Sequence, residues 1–238
     1  MQNRLKQRLL DRATQPYRSV GRSDYYWARG KLSGDPIFAA LLDQRVLHDG
    51  ASVLDLGCGR GLLAAWCLAA ESLASAGQWQ GDAPPRGVRF RGVELVAREV
   101  ACGNAALQPL FGNRVSLVAG DMRQAVMADI DAVAILDVLH YIPHAEQDRL
   151  LDRIRDALGS SGVFITRVGD AAGGWRFRFS QWVDRQMARL QGHPVAPTYC
   201  RPLAEWLQIL QARGFAVQAL PMSRGTPFAN VMLICRVT

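Results

Sequence analysis

Leu5, Leu9, Leu10 and Ala13 recur at helical spacing between charged residues, which predicts a basic amphipathic helix over residues 3–14, ended by Pro16. From Ala51 onward the pattern changes to short apolar, β-branched runs alternating with helical stretches. Strands are predicted at Val53–Leu56, Val88–Leu95, Val115–Ala119, Ala132–Leu136 and Val163–Val168, and helices at 61–75, 97–108 and 144–158. A helix at 203–213, stopped by Gly214, leads into strands near 215–220 and 229–236. No helical stretch separates those two, so they are expected as an antiparallel hairpin. The earlier strands lack hairpin turn signals. Their helical connections imply right-handed crossovers and a mostly parallel, doubly wound sheet.

One stretch breaks the rhythm. Residues 170–201 place Phe177, Trp182, Val183, Met187 and Leu190 on one helical face, with Arg176, Arg178, Arg185 and Arg189 around it. This reads as a helical lid inserted after the fifth strand. Residues 1–48 are expected to form an N-terminal helical cap, and 49–238 the main domain. The Gly- and Pro-containing segment 76–87 reads as a loop.

Composition narrows the class. With 238 residues, 49% apolar and 21% charged, the chain can bury a substantial core and is neither disordered nor fibrous. Its longest apolar runs, such as Leu62–Ala70, fall far short of the roughly 20 residues a spanning helix needs, so no integral membrane segment is expected. The first thirty residues show no apolar core and small-residue cleavage site of a secretory signal, which suggests a cytoplasmic protein. The five cysteines contain no Cys-x-x-Cys pair and read as buried reduced thiols. Charge is unevenly placed. Arg4, Lys6, Arg8, Arg12, Arg18, Arg22, Arg29 and Lys31 face only Asp11 and Asp24 in the first 31 residues, so this segment holds +6 of the formal +7. A nucleic-acid binder spreads basic charge over the face that meets phosphates, so nucleic acid is not the expected partner. An anionic partner touching one edge is.

The sharpest local signal is Val53-Leu54-Asp55-Leu56-Gly57-Cys58-Gly59-Arg60-Gly61, a strand delivering a glycine turn into a helix. Such a turn lets the backbone approach a ligand and sets a helix N-terminus beside it. Leu62 stands where a dinucleotide fingerprint requires its third glycine. Asp55, just before the turn, would repel a pyrophosphate but suits a ligand bearing an ammonium group. Glu94 and Asp121 close the second and third strands, at the carboxyl edge where open α/β sheets bind ligands.

These motifs resemble those of class I S-adenosylmethionine (SAM)-dependent methyltransferases, whose first motif is an acid followed by this glycine turn. The resemblance runs from about Gly50 to the C-terminus. It implies a Rossmann-like seven-stranded sheet of order 3-2-1-4-5-7-6, with N-terminal helices and a helical insertion after strand 5. It also implies SAM as cofactor, with Asp55, Gly57, Cys58 and Gly59 at the turn, Glu94 on the ribose hydroxyls beside Leu95, and Asp121 with Met122 at the adenine. Asp137-Val138-Leu139-His140-Tyr141 follows the fourth strand, where the family places groups facing the methyl sulfonium and the acceptor. Asp137 and Leu139 join the cofactor set; His140 and Tyr141 become the catalytic candidates, with Arg167 and Asp170 secondary. Arg29 and Lys31 are expected on the SAM carboxylate.

The acceptor narrows by elimination within that family. The Asn/Asp-Pro-Pro-Tyr/Phe tetrad of amino-nitrogen methylation and the Pro-Cys pair of cytosine C5 methylation are absent, and Asp137 and Asp170 do not cluster as metal-dependent catechol-type enzymes require. No metal is expected. Small-molecule or carrier-bound acceptors remain. A closer similarity is to methyltransferases of aryl polyene pigment synthesis, including the xanthomonadin type. It rests on Ala28-Arg29-Gly30-Lys31-Leu32-x-Gly34-Asp35-Pro36, Arg167-Val168-Gly169-Asp170-Ala171-Ala172-Gly173-Gly174, Tyr199-Cys200-Arg201-Pro202-Leu203 and Gly225-Thr226-Pro227-Phe228-Ala229-Asn230-Val231. That similarity implies an aromatic or polyene acceptor, O- or C-methylation, an apolar wall from Trp182, Met187 and Leu190, and an acidic acyl carrier protein meeting the basic helices. The alternatives are an NAD(P)-dependent oxidoreductase and a non-catalytic protein that keeps the SAM-binding fold.

Overall fold

The computed structural model describes residues 3–172, 198–222 and 230–238. The lid expected over 170–201 lies almost wholly outside them. Seven strands form one sheet of order β3-β2-β1-β4-β5-β7-β6, as the sequence led us to expect. Here β1 is Ser52–Leu56, β2 Arg89–Glu94, β3 Val115–Ala119, β4 Ala132–Leu136, β5 Val163–Gly169, β6 Phe215–Pro221 and β7 Asn230–Val237. Contacts divide the chain into two compact units, residues 1–133 and 134–238.

The first unit carries α1 (Asn3–Thr14), α2 (Arg22–Gly34), α3 (Pro36–Asp43), α4 (Leu62–Ser75) and α5 (Ala97–Phe111) around β1, β2 and β3. The three strands run parallel, with Leu56 paired to Val93 and Glu94 to Ala119. This register delivers Asp55, Glu94 and the Gly120-Asp121 turn to the same carboxyl edge. Helix α4 buries every residue from Leu62 to Ala70, and α1, α2 and α3 all pack against it. Helix α1 lays Leu5, Leu9, Leu10 and Ala13 over it, the stripe read from the sequence. Asp35 caps α3 by accepting from the Ile37 amide, with Pro36 in the first turn where its missing N–H costs nothing.

Helix α5 runs through Pro109 to Phe111, three residues beyond the end expected at 108. Pro109 forfeits its own bond to the Ala105 carbonyl, and the helix ends two residues later. On the same helix Gly103 packs against the glycine turn. A Cβ there would stand 2.7 Å from the Arg60 carbonyl oxygen and 2.5 Å from a Leu117 methyl.

The second unit holds α6 (His144–Ala157), β5, α7 (Leu203–Ala212), β6 and β7. Strands β6 and β7 pair antiparallel, as their lack of a helical spacer predicted, and β7 also pairs antiparallel with β5. Strand β7 buries Val231–Cys235 continuously, the pattern of a strand covered on both faces.

Gly103→Ala sets two magnitudes against each other. Alanine in a helix interior gains about 1 kcal/mol over glycine, whereas overpacking against an immobile backbone costs about 1–3 kcal/mol. The expected net is a loss, read as a lower midpoint in thermal unfolding; a raised midpoint would show that the Arg60 carbonyl can move aside.

Candidate active site

The turn between β1 and α4 carries three left-handed glycines, Gly57 (φ 76°), Gly59 (φ 52°) and Gly61 (φ 75°). L side chains rarely adopt that conformation, which is why the motif repeats glycine. The turn is tied to β2. The Gly57 and Cys58 amides donate to the Val93 carbonyl at 2.8 and 3.3 Å, and the Gly59 amide donates to Glu94 Oε2 at 3.0 Å. The other Glu94 oxygen accepts from the Val96 amide at 3.0 Å, so the carboxylate is held between the glycine turn and the start of α5.

Asp55 has the least ordinary environment. Its side chain sits at the end of β1 with 5% of its surface exposed, and no hydrogen-bond or ion-pair partner meets its carboxyl group among the described residues. Burial, and secondarily the charge of Glu94, push its pKa up to about 7. A buried acid without a cation is the arrangement an incoming ammonium group would relieve. Cys58 lies beside both acids, and burial pushes its thiol far above its usual range, so it is no thiolate nucleophile.

The remaining first-unit residues take these positions. Leu95 is exposed and Met122 half-buried. Asp121 caps the turn Met122–Gln124 by accepting from the Arg123 amide, and the Arg123 guanidinium closes on it at 2.5 Å. Arg123 thereby holds the Asp121 carboxyl below the usual carboxylate range. The Arg29 guanidinium donates to Asp11 at 2.7 Å and to the Tyr25 hydroxyl at 3.4 Å, and Lys31 pairs with Asp35 at 3.8 Å.

In the second unit, Asp137 ends β4 in the left-handed region (φ 63°), a strained conformation for a residue with a side chain. The buried Arg167 of β5 holds it with both Nε and Nη2, a bidentate pair. Leu139–Tyr141 then form one tight 3-10 turn, with Leu139 buried and Tyr141 exposed. The His140 and Tyr141 rings lie 4.2 Å apart, tilted by 53°. Asp170 accepts from the Ala172 and Leu203 amides at 3.0 Å each and so anchors the start of α7.

Two residues that sequence reasoning missed set this turn. Gln147, fully buried on α6, donates from Nε2 to the Leu139, Ile142 and Tyr199 carbonyls at 3.1, 3.1 and 2.8 Å. Its Oε1 accepts from Arg201 Nε at 2.9 Å, which settles the orientation of the amide. Arg201 also reaches Glu205, Asp148 and the His144 carbonyl. The Tyr199 amide closes the circuit on the His140 carbonyl at 2.8 Å. A Gln among the polar residues of an amphipathic helix carries no mark of this in the sequence.

This carboxyl edge brings together a glycine turn, a buried acid without a partner among the described residues and a second acid bound to the turn's own amide, an arrangement suited to a ligand that carries positive charge. A family model described as methyltransferase domain matches residues 26–220, and the chain belongs to that family. Solved structures agree on the fold. Magnesium protoporphyrin IX methyltransferase from Synechocystis PCC 6803 with bound SAH is 21% identical, over 85% of this chain and 80% of that one, at a TM-score of 0.57. The pyocyanin biosynthetic protein PhzM is 21% identical, over 91% of this chain and 58% of that one, at 0.62. Human N-acetylserotonin methyltransferase in complex with SAM is 17% identical, over 94% of this chain and 55% of that one, at 0.59. No curated protein matches the chain. The protein is a class I SAM-dependent methyltransferase, and the oxidoreductase alternative falls away. The residues present fit the cofactor, because Asp55 lacks the cation that SAM carries.

The raised carboxyl of Asp55 fixes the sign of a pH effect. Its contribution to apo stability is fully present below about pH 4 and is lost as pH rises through 7. Cation binding needs the ionised form, so SAM affinity is expected to rise roughly tenfold between pH 5.5 and 7, measured by calorimetry. Asp55→Asn should bind more weakly at every pH and lose this slope. A slope that survives in Asp55→Asn would take the ammonium site away from Asp55.

Proposed function

We propose that this enzyme methylates a small or acyl-carrier-bound aromatic or polyene intermediate, at oxygen or carbon, in the cytoplasm. The observation that carries the reading is the bare Asp55 carboxyl beside Glu94 at the glycine turn, which suits a cationic methyl donor. SAM supplies a methyl group already activated by its sulfonium. In this reading Asp55 and Glu94 hold the cofactor where the glycine turn lets it approach the backbone, with Leu95 beside Glu94 and Met122 against the adenine. Asp121 would meet the adenine only alongside its Arg123 pairing, and Arg29 and Lys31 would have to leave Asp11 and Asp35 to reach the cofactor carboxylate. Asp137 and Leu139 complete the expected cofactor set.

The acceptor assignment draws on the pigment-type similarity and on the fact that two structural neighbours are named for small-molecule acceptors, magnesium protoporphyrin IX and N-acetylserotonin. A phenol or activated ring carbon must lose a proton as it accepts a methyl group. In this reading the His140 imidazole takes that proton, and the exposed Tyr141 beside it hydrogen-bonds the acceptor. The turn held by Gln147 keeps the two rings in place. His140→Ala is expected to lower kcat about 100-fold while SAM affinity in calorimetry stays at the wild-type value. A wild-type rate with the true acceptor would demote His140. The acceptor itself is found by incubating the enzyme with methyl-labelled SAM and an extract of its own cell, then identifying the labelled product by mass.

The carrier partner is supported by the leading helix. Arg8 and Arg12 on the exposed face of α1 have no ion-pair partner among the described residues, and they line a cleft with Arg18 and Tyr25. Free guanidinium groups on one edge suit an acidic partner, as charge complementarity steers such encounters. The helix with Arg176, Arg178, Arg185 and Arg189 lies outside the described residues. Arg8→Glu with Arg12→Glu should weaken capture of an acidic acyl carrier protein more at low salt than at high salt. Capture indifferent to both charge and salt would remove the carrier from the proposal.

A further inference from the structure

Arg60 sits inside the glycine turn, yet its side chain leaves that turn and is gripped by the N-terminal segment and by α5. Nη1 meets Asp24 of α2 at 2.6 Å, while Nε and Nη2 hold the two oxygens of Glu99 at 2.5 and 3.1 Å. The guanidinium also lies 4.2 Å from the centroid of the Trp27 ring. The Arg60 carbonyl accepts from the buried Tyr17 hydroxyl at 2.8 Å. Asp24 is reinforced by the Cys102 thiol, which donates to it at 3.6 Å.

The Arg60 head group is only 12% exposed and both its partners are acids, so the cluster is a partly desolvated, charge-assisted network rather than a surface ion pair. The residues on either side of Arg60 are Gly59, whose amide holds Glu94, and Gly61, which opens α4. Segment 17–27 therefore touches the turn through its backbone oxygen and its only charged side chain. Moving α2 away would strip Arg60 of Asp24 and Trp27, leave its guanidinium to Glu99 alone, and loosen a turn whose glycines have little conformational preference of their own.

We infer that Arg60 is a positioning residue through which docking of the N-terminal helices and binding of the cofactor strengthen each other. Asp24 and Tyr17 are its partners on the N-terminal side. The inference rests on the assignment of the glycine turn to SAM and adds a partner to that site: the enzyme's own leading segment. Linkage makes the effect reciprocal. If docked helices hold the turn in its binding shape, SAM must in turn hold the helices down, by the same factor.

The test combines SAM affinity by calorimetry with hydrogen–deuterium exchange of the amides of residues 22–34, on the full chain with and without SAM. In the wild type, SAM should slow exchange across 22–34, including 22–27, which holds the Arg60 partners Asp24 and Trp27 and none of the residues assigned to the cofactor. Arg60→Gln should bind SAM about tenfold more weakly, the middle of the usual coupling range, and SAM should no longer slow exchange there. Asp24→Asn leaves the turn's own residues intact and decides the matter if Arg60→Gln does not fold; it should shift both readouts in the same direction. A purely structural Arg60 would speed exchange equally with and without SAM, and that result would overturn the inference. So would wild-type affinity and wild-type slowing in both variants. If SAM binds the wild type while 22–34 exchange unchanged, the coupling fails and the cofactor assignment stands; if the wild type binds no SAM, both fall.

Discussion

Two acids meet beside a glycine turn, and one of them meets no cation among the described residues. Glu94 is satisfied by backbone amides on both of its oxygens, whereas Asp55 is buried, without a partner among the described residues and close enough to Glu94 to feel its charge. Folding leaves this electrostatic deficit to a proton or to a cation. A positively charged ligand removes it, and an anionic dinucleotide would deepen it. In the reading proposed above, the cofactor class matches where charge has been left uncompensated.

Around that deficit the chain builds rigid supports from separate directions. Strand β2 holds the turn through the Val93 carbonyl and the Glu94 carboxylate, α5 presses Gly103 against the Arg60 carbonyl, and the N-terminal helices grip Arg60 itself. Within the second unit, Arg167 holds Asp137 in a strained conformation, and Gln147 with Arg201 fixes the turn bearing His140 and Tyr141. In each unit a guanidinium or amide largely shielded from solvent, with each of its nitrogens donating, orders a loop. Side chains so engaged lose little further entropy when a ligand arrives, which is how such sites are preorganised.

Several expected cofactor residues are already occupied. Asp121 is closed by Arg123, Arg29 is held by Asp11, and Lys31 leans on Asp35. The Arg123 pairing joins residues two apart and is within reach of a local reading. The Arg29 pairing spans 18 residues, between two helices whose packing no periodicity specifies. Motif matching names positions by residue type, whereas the partner of a charged side chain depends on which helices lie against each other.

What the amino-acid order determined by itself was whatever depends on neighbours along the chain: the strand–glycine–helix unit, the acids closing β1, β2 and β3, and the alternation that gives a mostly parallel sheet with a closing hairpin, while the strand order 3-2-1-4-5-7-6 was implied by the family those motifs resemble. Dihedral freedom, side-chain periodicity and crossover handedness are local or nearly local properties, so they survive without coordinates. Only the tertiary structure decided which charges are neutralised. Arg60 finds Asp24 36 residues away and Glu99 39 away, Asp137 finds Arg167 30 away, and Gln147 gathers carbonyls from positions 139, 142 and 199. Asp55 finds no partner among the described residues. These outcomes are set by distances of a few ångströms between segments remote in sequence, in an interior where losing one partner changes a group's charge state, and no local pattern encodes them.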